Sequence, residues 1–270
     1  MRVITLLNQK GGVGKTSTCH HLAGTLALRG KRVLLVDNDP QSSLTQGFWG
    51  PQVTRQLDPD RTIAALYAGA LPYPDQVLQP TGVPGIDLLP GSRYATPFNL
   101  PEPQRQPGER QLAIREFLAA VDPDHYDLVL IDCPPNLHLC SWAALAACDH
   151  LIVPLQPEDY GAQGIIDVQE SVDLVRAEMA VNFALMGYLI TMVNPRKTLH
   201  KLYEQTLRTQ FGSAVFEAMV PHATDYPEAI AARKPVAHYK PKGQAAKAMT
   251  ALADEVIRRL DTPSISREVA

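Results

Sequence analysis

The segment Gln9-Lys10-Gly11-Gly12-Val13-Gly14-Lys15-Thr16 constrains this chain more than any other. It stands between an apolar run at residues 3–7 and a helical pattern at residues 15–29. A strand, a glycine-rich turn and a helix in that order make a cradle for phosphate. The glycines let the main chain curl until several N–H groups converge, and the helix adds the positive end of its dipole. Lys15 is placed to neutralise the β- and γ-phosphates of a nucleotide, and the Thr16 hydroxyl to ligate Mg²⁺. Lys10, Gly11, Gly12, Val13, Gly14 and Ser17 complete the expected phosphate contacts. The usual pattern G-x-x-x-x-G-K-[ST] has glycine where this chain has Gln9, and here a second lysine, Lys10, opens the loop.

The strand–helix alternation continues along the chain. Short apolar runs at 32–36, 86–89, 128–131, 150–155, 185–193 and 215–220 read as strands. Helical patterns lie at 111–121, 142–148, 161–180, 199–211, 225–232 and 244–260. Strands apolar on both faces and separated by helices indicate a parallel sheet covered on both sides. The expected fold is therefore α/β: a single doubly wound, mostly parallel sheet of six to eight strands, in a P-loop domain over residues 1–260. A frayed tail is expected at 261–270. Residues 51–84, with one short helical pattern at 62–70, and the proline-rich stretch 97–108 interrupt the rhythm and read as surface excursions.

Composition narrows the function. With 270 residues, 45% of them apolar, the chain has material for a large core. Twenty-five Lys and Arg against 28 Asp and Glu give a net charge of −3, which excludes a uniformly basic nucleic-acid coat but not a local basic patch. The cysteines (Cys19, Cys133, Cys140, Cys148) lack CxxC spacing and read as reduced thiols. No run approaches the ~18 apolar residues of a membrane span, and the first residues lack the marks of a signal peptide. A soluble, cytoplasmic protein is expected.

Two further segments add acids. In Leu34-Leu35-Val36-Asp37-Asn38-Asp39-Pro40-Gln41, Asp37 and Asp39 lie at the C-terminal end of a strand, where ligands of doubly wound sheets sit. Leu128-Val129-Leu130-Ile131-Asp132 brings Asp132 to the same edge, suited to a Mg²⁺-bound water.

These motifs together resemble one family. KGGVGKT resembles the deviant Walker A loop of the ParA/MinD superfamily, LLVDNDPQ its DxDPQ segment, and IDCPP its DxPP segment. Val153-Pro154-Leu155-Gln156-Pro157-Glu158, with Gly164, looks like VPxQxE. The chain is similar to ParA/Soj-type ATPases from residue 3 to about residue 260. That resemblance implies an ATPase using ATP and Mg²⁺ that closes into a homodimer over two nucleotides, Lys10 reaching the partner's site. By the same resemblance Asp39 orients the attacking water, Asp37 supports the metal shell, and Asn194 and Pro221 contact the adenine. It also implies nonspecific double-stranded DNA, a stimulating ParB-like or cargo-adaptor protein, no membrane, and a nucleoid-associated location.

Two basic clusters are candidates for the DNA contacts: Arg196, Lys197, Lys201 and Arg208, interrupted by Glu204, and Arg233, Lys234, Lys240, Lys242 and Lys247, with no acid between them. Departures from the family pattern are Asn38, often apolar in relatives, and His222-Ala223-Thr224-Asp225 where Pro-Arg is common. No helix-turn-helix precedes the first strand, as in the short form of the family. The rival readings are a MinD-like membrane ATPase, whose basic amphipathic end is not seen in DTPSISREVA, and a nucleotide-switch scaffold that does not use DNA.

Overall fold

The protein was analysed as a computed structural model, which describes residues 1–157, 170, 173–178 and 181–261. Seven strands form one sheet: β1 (Arg2–Leu6), β2 (Val33–Asp37), β3 (Gln79–Pro80), β4 (Ile86–Leu89), β5 (Leu128–Asp132), β6 (His150–Leu155) and β7 (Ala184–Ile190). Their order across the sheet is β3-β4-β2-β5-β1-β6-β7. Every pairing is parallel except that of β3 with β4. The doubly wound, mostly parallel sheet expected from the apolar runs is present.

Side chains alternate between the faces of each strand and feed two cores. Val33 and Leu35 of β2 point to one, where α1 (Lys15–Leu28), α2 (Ser43–Gln56) and the helices Asp225–Ala231, Val236–Tyr239 and Gln244–Asp261 pack through Leu22, Leu44, Tyr226, Val236 and Met249. Leu34 and Val36 point to the other, beneath α3 (Ile63–Tyr67) and the helices Ala113–Ala119, Leu139–Ala146 and Thr198–Phe211. Trp142, Phe117 and Leu207 belong to that second core. The central strands are buried end to end, which is why they read as continuous apolar runs.

Three sequence expectations need correcting or bounding. Residues 215–220 do not form a strand; the segment runs beside β7, joined by isolated bridges from Val215 to Tyr188 and from Pro221 to Val193. The reason is a remote carboxylate: buried Glu255 accepts from Glu217 N (2.9 Å) and from Ala218 N (2.8 Å), the latter standing between Phe216 and Val220, whose N–H groups do reach β7. The helix α2 was not expected, because Gly50-Pro51 interrupts its pattern. Gly50 (φ 83°, ψ 162°) kinks it, and a new helical segment restarts at Pro51. The expected helix at 161–180 lies outside the described residues except for 170 and 173–178, as do Glu158, Gly164 and the tail beyond 261.

Candidate functional site

The phosphate loop leaves β1 and enters α1 at the C-terminal edge of the sheet, beside β5 and β6, the neighbours of β1. Gly14 precedes α1 in the left-handed conformation (φ 84°), which explains a glycine there. Among the described residues, no side-chain cap is made at Gly14 and the first turn of α1 holds no acid, which leaves its leading N–H groups open to an anion. Lys15 is buried, and its Nζ donates to the carbonyls of Asn8 (2.9 Å) and Lys10 (3.1 Å), folding across the loop. Burial lowers its pKa, while the nearby Asp132, Cys133 and Asp39 oppose that shift. Thr16 and Ser17 are partly buried in the first turn, and Lys10, Gly11 and Gly12 are exposed at the mouth.

Two residues that the sequence reading did not single out hold the loop to the sheet. Asn8 donates to Pro154 O (2.8 Å) and accepts from Lys10 N (2.8 Å). Thr191, just beyond β7, donates to Val13 O (2.9 Å) and Leu155 O (3.1 Å). Both are single polar residues at strand ends, and only their three-dimensional neighbours reveal the role.

Asp37 and Asp132 are in register on the adjacent strands β2 and β5, both fully buried. Asp37 Oδ2 accepts from Thr45 N (2.7 Å) and Thr45 Oγ1 (2.6 Å). Burial pushes Asp37 up to about 7. Burial first, then the Asp37 charge, push Asp132 well above the carboxylate range, against the favourable Thr16 hydroxyl and Lys15 ammonium. Among the described residues, both Asp132 oxygens and Asp37 Oδ1 are buried without a hydrogen-bond partner. Bare, buried carboxylate oxygens beside a threonine hydroxyl are the donor set of a hard divalent cation, so Thr16, Asp37 and Asp132 fit magnesium. Among the described residues no cluster of three or more His, Cys, Asp or Glu forms a self-contained cage. An ion here would take the rest of its shell from phosphate and water.

Asp39 follows two residues after Asp37 and is mostly buried. Its Oδ1 accepts from Gln41 N (2.9 Å), and burial raises its pKa while Gln41 N–H and Lys15 oppose the rise. Between them Asn38 turns to the opposite face, donating to Cys140 O (2.6 Å) and accepting from the Tyr67 hydroxyl (2.7 Å). That pairing accommodates a polar residue where an apolar one is usual. Gly91 was also not foreseen: its N–H donates to Thr45 Oγ1 (2.8 Å), and a Cβ there would stand 2.6 Å from Asp37 Cγ. The four cysteines are free and buried, with burial raising all their thiol pKa values. They are inert thiols.

Asn194 and Pro221 lie beyond the end of β7, where Val193 and Pro221 bridge and His222 N donates to Val193 O (2.9 Å). The Asn194 side chain accepts from Arg196 N (3.0 Å), closing a turn. Of the basic residues, Arg208 pairs with Glu204 (2.9 Å) and Lys240 with Asp225 (2.7 Å). Arg233 Nη1 donates to Gln46 O (2.8 Å). Arg196, Lys197, Lys201, Arg233, Lys234, Lys240, Lys242 and Lys247 are exposed. The two clusters border helices on opposite faces of the sheet, the first beside Leu207 of one core and the second beside Val236 and Met249 of the other. No helix among the described residues is long and apolar enough to cross a membrane.

Comparison with known proteins adds three findings. A family described as an AAA domain matches residues 1–185. The chain is 37% identical over 260 residues to the chromosome-partitioning ATPase Soj of Thermus thermophilus, covering 96% of this chain and 97% of that one. It is 33% identical over 260 residues to the chromosome partitioning protein ParA of Caulobacter vibrioides, covering 96% and 95%. Among solved structures, cobyrinic acid a,c-diamide synthase from Mycobacterium smegmatis, with bound ADP and magnesium, superposes with a TM-score of 0.80 at 27% identity. That match covers 98% of this chain and 99% of the other.

Proposed function

The chain belongs to the ParA-type family of P-loop ATPases, and from that premise we propose that it binds ATP and Mg²⁺, pairs with a second copy, and in that state holds nonspecific double-stranded DNA. Hydrolysis, stimulated by a ParB-like or cargo-adaptor protein, releases the DNA, so the cycle partitions or positions a cargo on the nucleoid. The observation that supports this reading best is the unpartnered, buried carboxylate of Asp132, in register with Asp37 and beside Lys15 and Thr16.

The residues divide the work as follows. Main-chain N–H groups of Gly11 to Ser17 and the open first turn of α1 take the phosphates. Lys15 exchanges its two carbonyl contacts for phosphate oxygens. Thr16, Asp37 and Asp132 hold magnesium, which neutralises charge on the transferring phosphoryl group. Asp39 orients the attacking water, Lys10 reaches the nucleotide of the second copy, and Asn194 and Pro221 line the adenine side. Positioning and charge neutralisation suffice for phosphoryl transfer.

Arg196, Lys197, Lys201, Lys234, Lys242 and Lys247, exposed members of the two clusters, supply phosphate contacts to DNA. The test is binding to nonspecific double-stranded DNA with ATP, with ADP and without nucleotide, across a salt series. Tight, salt-sensitive binding with ATP alone is the expected result. Equal binding in all three conditions, or none in any, overturns the DNA part of the reading; absence of magnesium-dependent ATP hydrolysis overturns the rest.

A further inference from the structure

Arg233 is exposed, yet its guanidinium lies back against α2 and donates to main-chain carbonyls there. Its main chain is left-handed (φ 59°), a conformation that a non-glycine residue adopts at a cost of about 1 kcal/mol. Nη1 donates to Gln46 O (2.8 Å) and to Ile230 O (3.3 Å). The guanidinium also covers Gly50, where a Cβ would come 3.2 Å from Nη2. Gln46 belongs to the last turn of the first half of α2, before the Gly50 kink, so Arg233 fastens the end of that half-helix.

The first half of α2 is the element attached to the nucleotide site. Thr45, the neighbour of Gln46, gives both its N–H and its hydroxyl to Asp37. The residues after Arg233 are fastened just as closely to α1. Pro235 packs on Gly24, leaving no room for a Cβ there. His21 Nδ1 accepts from Val236 N (3.0 Å), and His238 Nε2 meets Gly24 O (3.1 Å). The segment bearing Lys234, Lys242 and Lys247 is thus tied to both helices that leave the nucleotide site: α1, which opens at Lys15, and α2, which follows Asp39.

We propose that Arg233 is a coupling residue rather than a DNA contact: it straps the basic segment to α2, so that the state of the Asp37–Thr45 pair sets the placement of the lysines that follow. The physical requirement for coupling is an element that both sites touch, and the half-helix of α2 meets it. This rests on the ATP-dependent DNA binding proposed above.

The experiment compares wild type, Arg233→Gly and Arg233→Lys for affinity to nonspecific double-stranded DNA, with ATP and with ADP, across a salt series. Glycine accepts the left-handed backbone, so Arg233→Gly keeps the local path while deleting the strap. Lysine keeps the charge but lacks the planar fork. If Arg233 couples, both variants lower the ATP-to-ADP affinity ratio about tenfold or more, while the salt slope with ATP keeps its wild-type value. If Arg233 is an ordinary phosphate contact, Arg233→Gly weakens binding equally with both nucleotides, lowers the slope by about one, and Arg233→Lys restores both; that result overturns the proposal. A ratio unchanged in either variant, with only denaturation stability reduced, overturns it too. Wild type without ATP-dependent DNA binding would sink the functional reading itself, and this proposal with it.

Discussion

Asp37 and Asp132 face one another across neighbouring parallel strands, in register, and three of their four carboxylate oxygens are buried without a hydrogen-bond partner among the described residues. Burial, and for Asp132 also the Asp37 charge, hold both carboxyls above the ordinary carboxylate range, so ionising them in the nucleotide-free core opposes folding and favours a cation. Replacing Asp132 by asparagine removes the repulsion while keeping the shape. Asp132→Asn is expected to raise the unfolding free energy of the nucleotide-free protein by about 1–3 kcal/mol, and to lower magnesium-dependent ATP hydrolysis about a hundredfold or more. Urea denaturation and a phosphate-release assay measure the two sides; lower stability with normal hydrolysis contradicts the assignment.

Lys15 is drawn into the loop, held by the Asn8 and Lys10 carbonyls. Lys15→Ala removes its charge from the phosphate site. ATP affinity is expected to fall about a hundredfold or more, with turnover lost. Calorimetric titration with ATP and Mg²⁺ checks it, and an ordinary affinity would remove the loop from the nucleotide site.

The hydrogen bond that the Asp39 carboxylate accepts is local, from Gln41 N. Asp39→Ala should therefore leave ATP affinity within about threefold of wild type while hydrolysis falls about a hundredfold. The protein is then expected to accumulate as an ATP-bound pair in size-exclusion chromatography. Purely monomeric elution with ATP counts against the water-orienting role.

Gly91 leaves room for the Asp37 carboxyl, and a Cβ would stand 2.6 Å from Cγ. The obstacle is a fully buried side chain held by Thr45, with little freedom to retreat. Gly91→Ala is expected to cost about 1–3 kcal/mol of stability and to weaken magnesium-dependent nucleotide binding. Denaturation in urea, paired with ATP titration at several magnesium concentrations, separates the two effects; no change in either relieves Gly91 of this role.

His20 and His21 are buried together between α1 and its neighbours, their Nδ1 atoms 3.3 Å apart. Burial lowers the His20 pKa from 6.5 to about 4, against the opposing influence of the Gly47 main-chain carbonyl. A base whose pKa is depressed in the folded state binds fewer protons than in the unfolded chain, so stability falls as pH drops through 6.5 towards 4. By pH 5 the loss from His20 is about 2 kcal/mol. Urea denaturation of wild type and His20→Gln from pH 7 to 5 should show a shallower slope for the variant; equal slopes assign the acid sensitivity elsewhere.

The legible parts of this protein are those that burial on both sides writes into consecutive residues. β1, β2, β5 and β6 are apolar runs because each lies inside the sheet, and Asp37, Asp39 and Asp132 are conspicuous because each ends or follows such a run. What was not legible depends on meetings between distant residues. Thr45 and Gly91 converge on Asp37 from 8 residues and from another strand connection away, and nothing in either neighbourhood announces a carboxylate. Thr191 reaches Val13 across 178 residues. The stretch 215–220 has the composition of a strand, but Glu255 takes its central N–H groups. For α2, the local signal was misleading rather than absent: Gly50-Pro51 breaks one helix and starts another in the same line.

Glu255 has a wider consequence for how copies of this protein meet. At one border of the sheet, β7 is flanked by 215–221, which takes some of its hydrogen-bonding groups, while the buried carboxylate occupies the N–H groups of Glu217 and Ala218. At the other border, β3 has only two residues, and one of them, Pro80, has no N–H to offer. A sheet finished in this way gives an incoming strand no template, so edge-to-edge growth into fibres is disfavoured at both ends. Association is left to helices and loops, whose contacts can be made and undone without disturbing the sheet.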